Sequence, residues 1–262
     1  DKLKLFPDDK VTIFTIPDWD ESVQITLKGE VQFPGIYSIR KGERLASVIE
    51  RAGGYKEEAF LYGAVFSRED VKKMQQVALE KQRDDLNNIL KSMLATSSKE
   101  NNQALQLLEN LKGKLDDINS TGRITIDLPS SVNALKESIY NIVIKNGDTL
   151  FIPKKEDSVL VMGEVYNPTS IIYNPNENGD FYIDKAGGSN INANDDNIFI
   201  VHANGETEQL YKGLFSSNAK VLKGDLIIVP LDFSLYNSIE LTRDLTDILY
   251  KLAFSAAALK NI

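Results

Sequence analysis

The chain has 262 residues, 42% of them hydrophobic, which is enough apolar material for one substantial core or two small ones. Its net charge is −8 at pH 7 and it has no basic tract, which argues against nucleic acid as a partner because phosphate contacts need clustered Lys and Arg. The absence of cysteine excludes disulfides, thiol catalysis and Cys-based zinc sites.

The first segment of the chain predicts a single strand. Between residues 5 and 17, Val11 and Ile13 lie on one face of an alternating pattern, and Pro17 ends it. We assign residues 1–20 to the end strand of a module that lies upstream. Because the chain starts at Asp1 without Met, we expect a processed product or a fragment whose true N-terminus is missing.

Residues 21–155 predict a first module, in which one sheet is crossed by a helix. A strand pattern from Val23 to Val31 is followed by the turn residues Pro34 and Gly35 and by a second strand pattern, which is typical of a hairpin. Helical spacing then runs from Leu45 to Ala52. Further strands are predicted at 60–67, 123–128 and 139–153.

The first module is interrupted at about residues 68–120 by a helical insertion. An apolar stripe from Arg68 to Leu94 includes Met74 and leaves Leu79 outside it, which is the pattern of a long amphipathic helix. Ser98 is the predicted N-cap of a second helix. We expect an antiparallel helical hairpin that is either a solvated spacer or a partner-binding arm, and the spacer is favoured because polar hairpins often only decorate a surface.

Residues 156–235 predict a second module and residues 236–262 a C-terminal amphipathic helix. Polar residues form one stripe along this helix at steps of three and four: Glu240, Asp244, Asp247, Lys251 and Ser255. The longest apolar run, from Phe254 to Leu259, is too short to cross a bilayer alone. The helix therefore packs on the chain's own core or on a neighbouring subunit, or it forms one stave of a helical ring around a water-filled lumen.

The two modules share a sequence repeat. A Gly-Glu-Val, Pro and Ala-Gly-Gly pattern occurs twice without a gap, at a constant offset of 134 residues. A Gly-Asp-strand-Pro pattern also recurs, at 147–153 and 224–230, with an offset of 77 residues. The difference of 57 residues is the insertion in the first copy. A duplicated module explains both offsets.

No residue pattern points to catalysis. His202 is the single histidine and lies in a strand pattern, so we expect a structural imidazole. Glu30 and Glu164 occupy equivalent positions, but a carboxylate pair for glycoside hydrolysis must converge to roughly 5 to 9.5 Å. One Glu in each copy is explained more simply by the same structural role in both. Asp148 and Asp225 are interpreted as turn residues beside Gly.

Signatures for phosphate cradling, dinucleotide binding and the α/β-hydrolase elbow are missing from the sequence. The acidic, Asn-rich segment 192–197 lacks the residue order of a calcium loop. We therefore predict no catalytic residue, no metal site and no cofactor.

The repeat resembles a known family. Gly29-Glu30-Val31 with Pro34-Gly35, Ala52-Gly53-Gly54 and the segment 63–69 look like the soluble-ligand-binding β-grasp (SLBB) domain of bacterial polysaccharide export proteins. The second copy is similar to the next such domain of the same proteins. The resemblance covers roughly residues 5 to 262 and implies an α+β fold of two tandem β-grasp-like modules, with a helical hairpin inserted in the first and an amphipathic helix at the C-terminus.

The resemblance implies an outer-membrane export component for capsule or exopolysaccharide, and not an enzyme. Subunits of the full-length protein would assemble into a ring, and stacked domains would form the periplasmic wall of a conduit for the polysaccharide chain. Residues 240–259 would be an exit helix in the outer membrane or a docking helix. The hairpin would contact an inner-membrane export partner or space the rings. The alternative is a periplasmic glycan-binding or partner-docking module without a channel role.

Under this resemblance the repeat-motif residues are candidates for structural roles or for glycan contact. They are Gly29, Glu30, Val31, Pro34, Gly35, Ala52, Gly53 and Gly54 in the first copy, and Gly163, Glu164, Val165, Pro168, Ala186, Gly187 and Gly188 in the second.

Overall fold

The computed structural model describes residues 23–95, 118–210 and 219–232, together with 109, 112, 113 and 116. Within these ranges the chain forms two five-stranded mixed sheets and four α-helices. The predicted strand in residues 1–20, most of the second arm of the hairpin and the C-terminal helix with its polar stripe lie outside the described residues.

The first sheet contains the strands that flank the insertion. They are β1 (Gln24–Gly29), β2 (Gly35–Ser38), β3 (Val65–Ser67), β4 (Arg123–Ile124) and β5 (Asp148–Ile152). The order across the sheet is β2-β1-β5-β3-β4, and β1 runs parallel to β5 while the other pairs are antiparallel. Period-two alternation places Ile25 and Leu27 of β1 in the core and leaves Lys28 exposed on the opposite side.

The second sheet repeats this arrangement. Its strands are β6 (Ser158–Gly163), β7 (Thr169–Ile172), β8 (Ile198–Val201), β9 (Thr207–Leu210) and β10 (Leu226–Val229), in the order β7-β6-β10-β8-β9. Gly29 is paired with Ile152 in the first sheet, and Gly163 with Val229 in the second. Both sequence offsets, 134 and 77, are therefore reproduced in the register of the strands.

Each sheet is covered on one face by a short helix, which closes a separate apolar core. Helix α1 (Leu45–Arg51) buries Leu45, Val48 and Ile49 against the first sheet. In the second sheet Tyr182 and Ile183 have the same role. Full burial of a Leu or Ile side chain stabilises a fold by about 1.5 to 3 kcal/mol, so each core is held by many such contributions.

The insertion begins with a long helix, α2 (Glu69–Ala95), which agrees with the predicted helical span. The predicted stripe was wrong at its start, because Met74 is 65% exposed whereas Leu79 is 6% exposed and is buried along with Leu86 and Leu90. Arg83 of this helix donates a hydrogen bond to the carbonyl of Ile118 at 2.8 Å, so the chain returns beside α2 at the end of the insertion. Helix α3 (Val132–Lys136) follows β4, and α4 (Gly179–Lys185) is the helix on the second sheet.

Three predicted strands of the first module are shorter than expected. Residues 61–63 form a 3₁₀ turn before β3, β4 contains two residues, and β5 begins at Asp148. Residues 139–147 instead cross the start of α1, where Val143 forms an isolated bridge with Arg44. The apolar residue Ile139, which suggested a strand, is 85% exposed.

The connection between the two sheets is short and attached to the first module. It runs from Pro153 to Asp157, between β5 and β6. The amide of Phe60 donates to the carbonyl of Pro153 at 2.8 Å, and the amide of Lys155 donates to the carbonyl of Glu58 at 3.0 Å. These two hydrogen bonds attach the first three residues of the connection to the segment before β3.

Candidate functional site

The Gly-Glu-Val motif forms the same tight crossing in both sheets. Gly29 and Gly163 have φ values of 78° and 96°. A Cβ atom added at either glycine would lie 2.0 Å from a carbonyl oxygen, that of Ile152 or that of Val229. The conformation and the close approach of the parallel strand therefore both require glycine. Val31 and Val165, two residues later, are buried.

The Ala-Gly-Gly motif ends the helix that crosses each sheet. The amide of Gly54 donates to the carbonyl of Ile49, and that of Gly188 to Ile183, both at 2.9 Å. The two glycines of each motif have positive φ, and Ala52 and Ala186 are fully buried. This is the usual way in which glycines satisfy the last carbonyl groups of a helix.

The two motifs are hydrogen-bonded to each other. The amide of Phe33 donates to the carbonyl of Ala52 at 3.0 Å, and the amide of Asn167 donates to the carbonyl of Ala186 at 2.9 Å. The prolines of the turns, Pro34 and Pro168, are exposed, and Gly35 begins β2. Most of the repeat positions thus join a turn to a helix end, which supports a structural role for them.

Glu30 and Glu164 each have a partner in their own module. A carboxylate oxygen of Glu30 lies 3.4 Å from Nζ of Lys56. Glu164 accepts a hydrogen bond from the side-chain amide of Asn190 at 2.9 Å. These contacts favour equivalent structural roles over a shared hydrolytic site.

The structure reveals a buried ionic pair in each module that sequence reasoning missed. Asp148 is fully buried and accepts hydrogen bonds from Nε and Nη2 of Arg68 at 2.9 and 2.8 Å. Asp225 is also fully buried, and its Oδ2 lies 2.9 Å from Nδ1 of His202. Each aspartate accepts a backbone hydrogen bond from the turn before it, so the turn interpretation was incomplete. Arg68 and His202 are separated by the repeat offset of 134, which was the available signal.

The charges of these two pairs respond differently to their surroundings. Burial lowers the pKa of His202, but the hydrogen bond and charge of Asp225 outweigh burial, and the pKa is raised above its ordinary value. The hydrogen bond with Asp148 raises the pKa of Arg68, which is charged at every physiological pH. Of these two pairs, only that of His202 and Asp225 has a positive partner that can lose its proton as the pH rises.

The two modules meet close to His202. The Tyr62 ring lies edge-on to the imidazole with centroids 6.4 Å apart, and Phe60 is in contact with Gly224. Nη2 of Arg123 donates to the carbonyl of Ala203. Burial lowers the pKa of Arg123 to about 10, so this guanidinium is charged at neutral pH. An arginine, two aromatic rings and the short connection thus hold the sheets together.

The outer faces of the two sheets, meaning the faces opposite the covering helices, differ in chemistry. On the first sheet a cavity of about 320 Å³ is lined by Lys28, Ser67, Thr149 and Phe151, with Arg68, Glu69 and Lys72 at the start of α2. The positions equivalent to the first four residues are Met162, Val201, Leu226 and Ile228 on the second sheet. The first outer face is thus polar and cationic, and the second is apolar.

A second cavity of about 550 Å³ lies beside the first Ala-Gly-Gly motif, where Lys56, Ser131 and Lys155 contribute to its lining. Among the described residues, no group of three His, Cys, Asp or Glu side chains could hold a metal ion. No α-helix in the same part of the chain combines the length and apolar character that a bilayer span requires.

Comparison with known proteins finds one domain match and several partial similarities. The SLBB domain model matches residues 24–75. Polysialic acid transport protein KpsD of Escherichia coli is 30% identical over 137 residues, and a second KpsD sequence from that species gives the same values. ComE operon protein 1 of Bacillus subtilis (strain 168) is 48% identical over 40 residues.

The matched part is 52% of this chain but 23% of KpsD, and for ComE operon protein 1 the shares are 15% and 20%. The similarity to KpsD extends over 137 residues, whereas the SLBB domain model matches 52 residues. The chain thus carries a match to the SLBB domain and is similar over about half of its length to a polysialic acid transport protein.

Proposed function

We propose that this chain is the periplasmic portion of a subunit of an outer-membrane polysaccharide export channel. Its two sheets would form part of the wall of a conduit for capsular polysaccharide or exopolysaccharide. The observation that carries the proposal is the 30% identity to a polysialic acid transport protein over half of the chain.

Each sheet with its covering helix is, in this proposal, one SLBB module with a β-grasp fold. The modules comprise residues 21–155 and 156–235, and residues 1–20 belong to a module upstream. The helix that the sequence predicts at residues 236–262 would reach the outer membrane or a neighbouring subunit. The identical strand order and register of the two sheets support this division.

A wall segment needs stable and repetitive structure more than reactive groups. The repeat motifs are hydrogen-bonded to one another, and Arg68 and His202 compensate the buried charges of Asp148 and Asp225. These contacts support a scaffold role in a ring of subunits, without catalysis.

Helix α2 is the part of the first module that is suited to a further partner. Met74 and Val77 on this helix are 65% and 66% exposed, although both side chains are apolar. In a conduit that crosses the periplasm, such a surface would contact an inner-membrane export partner.

Deletion of the gene for the full-length protein tests the proposal directly. We expect cells to lose surface polysaccharide and to retain the polymer inside the envelope, and a copy of the gene should restore export. Normal export in the deletion strain would contradict the proposal.

The cavity on the outer face of the first sheet favours a second candidate function, a periplasmic glycan-binding module without a channel role. The mass of the full-length protein extracted in detergent distinguishes the two. A ring of many subunits supports the channel, whereas a monomer that still binds polysaccharide supports the binding module.

A further inference from the structure

We propose that the cavity on the outer face of the first sheet is a binding site for an acidic sugar residue of the exported polymer. This inference rests on the proposed function and specifies its substrate class, a polysaccharide that carries carboxylate groups. The residues that carry it come from three strands and from the first turns of α2.

The size of the cavity suits one or two sugar residues. Its volume is about 320 Å³, at the lower end of the range of roughly 300 to 1,000 Å³ found for small-molecule sites. Thr149 and Phe151 from β5 and Ser67 from β3 belong to its lining, and Lys28 of β1 lies beside Phe151 in the strand register. The start of α2 supplies the remaining side.

The charge of the lining selects for anions. The cavity is lined by three cationic side chains, Lys28, Arg68 and Lys72, and by one carboxylate, Glu69, although the whole chain carries a net charge of −8. Arg68 is already paired with the buried Asp148.

The two lysines differ from Arg68 because their charge is available to pair with a carboxylate of a ligand. Lys28 and Lys72 are exposed, and the described part of the chain places no carboxylate within ion-pairing distance of either. An arriving carboxylate would therefore gain two charge-assisted contacts without the rupture of an existing ion pair.

The other lining groups suit a sugar ring. Ser67, Thr121 and Thr149 offer hydroxyl groups that can donate to or accept from sugar hydroxyls. The half-buried ring of Phe151 offers a flat apolar surface for the C–H face of the sugar. Cations, hydroxyls and an aromatic face together match an acidic saccharide better than an inorganic anion, which has no apolar face.

The second sheet shows what the insertion adds. Its equivalent positions hold Met162 for Lys28, Leu226 for Thr149 and Ile228 for Phe151. Among the described residues no counterpart of α2 follows β8, because β9 begins six residues after β8 ends. The polar and cationic residues that line the cavity are therefore particular to the first sheet, although both sheets have the same strand order. The insertion has a role in this proposal beyond that of a spacer, because it supplies Lys72 and one wall of the site.

Calorimetric titration of the 262-residue chain tests the proposal with three tetrasaccharides of equal length. Two are acidic, an α2,8-linked sialic acid tetramer and a hyaluronan tetrasaccharide, and the third is neutral maltotetraose. We expect at least one acidic tetrasaccharide to bind about tenfold more tightly than maltotetraose and to weaken at high salt.

Three variants locate the binding. Lys28→Met introduces the residue of the second sheet and Lys72→Met removes the cation of α2, and each should weaken acidic binding by about fivefold or more. Lys41→Met removes an exposed lysine from a turn that does not line the cavity, and it should change the affinity by less than about twofold.

Equal affinity for acidic and neutral tetrasaccharides, no binding of any of them, or acidic binding that both cavity variants leave intact would each overturn this proposal. None of these results touches the export function, because that function is tested separately by polymer retention in the deletion strain. Conversely, tight acidic binding together with normal export in that strain would retain the cavity as a sugar site and refute the channel.

Discussion

The two sheets share strand order and register but neutralise the same buried aspartate with different partners. In the first sheet Arg68 binds Asp148 through two hydrogen bonds, and in the second sheet His202 binds Asp225 through one nitrogen. The guanidinium remains charged, whereas the imidazole can lose its proton as the pH rises. Both sheets thus place a donor beside the buried aspartate, and we expect the choice of donor to set how the stability of each sheet responds to pH.

Removal of the arginine should produce the largest effect. In Arg68→Ala, Asp148 remains fully buried with only the Lys145 amide as a donor, and we expect a loss of about 3 to 5 kcal/mol in the free energy of unfolding. Chemical denaturation, with amide exchange in β5 as the local probe, measures this loss.

The control for this variant is Lys136→Ala. Lys136 pairs with Glu50 at 2.8 Å, but both side chains are at least 40% exposed, so less than about 0.5 kcal/mol should be lost. An Arg68→Ala protein as stable as this control would show that the buried pair does not stabilise the first sheet.

The glycine crossings should behave alike in both sheets, despite the different ionic pairs. Gly29→Ala and Gly163→Ala should each cost about 2 to 4 kcal/mol, because the left-handed backbone and the nearby carbonyl oxygen both oppose a Cβ atom. Gly42→Ala is the matched control, since Gly42 has a φ of 79° but nothing within 4 Å of an added Cβ. A smaller loss, about 1 kcal/mol, is expected there. If all three variants lost the same stability, the contact with the parallel strand would be unimportant.

The local stability of the second sheet, but not that of the first, should fall as the pH rises. The pKa of His202 is raised above its ordinary 6.5 in the folded chain, so its charge stabilises the fold fully below pH 6.5 and this contribution is lost as pH rises through the folded pKa. The groups that face the imidazole are Tyr62, Asp225 and Glu208, and none of them adds a positive charge that could replace it. Protection factors of β10 amides between pH 6 and 9 measure the loss.

His202→Arg is the matched variant for this experiment, because it transfers the donor of the first sheet to the second. The protection factors of β10 amides should then no longer depend on pH. In the unmodified chain, those of β5 amides should already be independent of pH, because Arg68 stays charged. Equal alkaline weakening of both sheets in the unmodified protein would assign the effect to another group.

The smallest effect is expected from the two glutamates that occupy equivalent positions in the repeat. Glu30→Gln loses the charge opposite Lys56, whose side chain is 40% exposed, and should cost less than about 1 kcal/mol. Glu164→Gln retains an oxygen that accepts from Asn190 and should be close to neutral. Under the proposed function, cells that carry either variant in the full-length protein should export polysaccharide normally. A loss of export at unchanged stability would instead show that these side chains contact the glycan.

The repeat made the arrangement of the two sheets predictable. Constant offsets between the Gly-Glu-Val, Ala-Gly-Gly and Gly-Asp motifs anticipated which strands are paired and in which register, since equivalent residues must occupy equivalent places. The positive φ of Gly53 and Gly54 follows from the same motif, because a helix that ends in two glycines has a common geometry.

Properties that depend on contacts between distant residues were harder to predict. The apolar stripe predicted for α2 included Met74 and excluded Leu79, whereas the structure exposes Met74 and buries Leu79. Periodicity alone does not show which side of a helix packs against its neighbour. The partners of Asp148 and Asp225 lie 80 and 23 residues away in sequence. The cavity beside Lys28 needs β1, β3, β5 and α2 at once, and no local pattern records that meeting.

The short connection from Pro153 to Asp157 limits how subunits can be arranged in an assembly. Between the end of β5 and the start of β6 the backbone can reach at most roughly 20 Å, and bonds from Phe60 and Lys155 shorten its free length. The two sheets of one chain must therefore remain neighbours in any assembly that the chain forms, and they cannot be separated into distant layers.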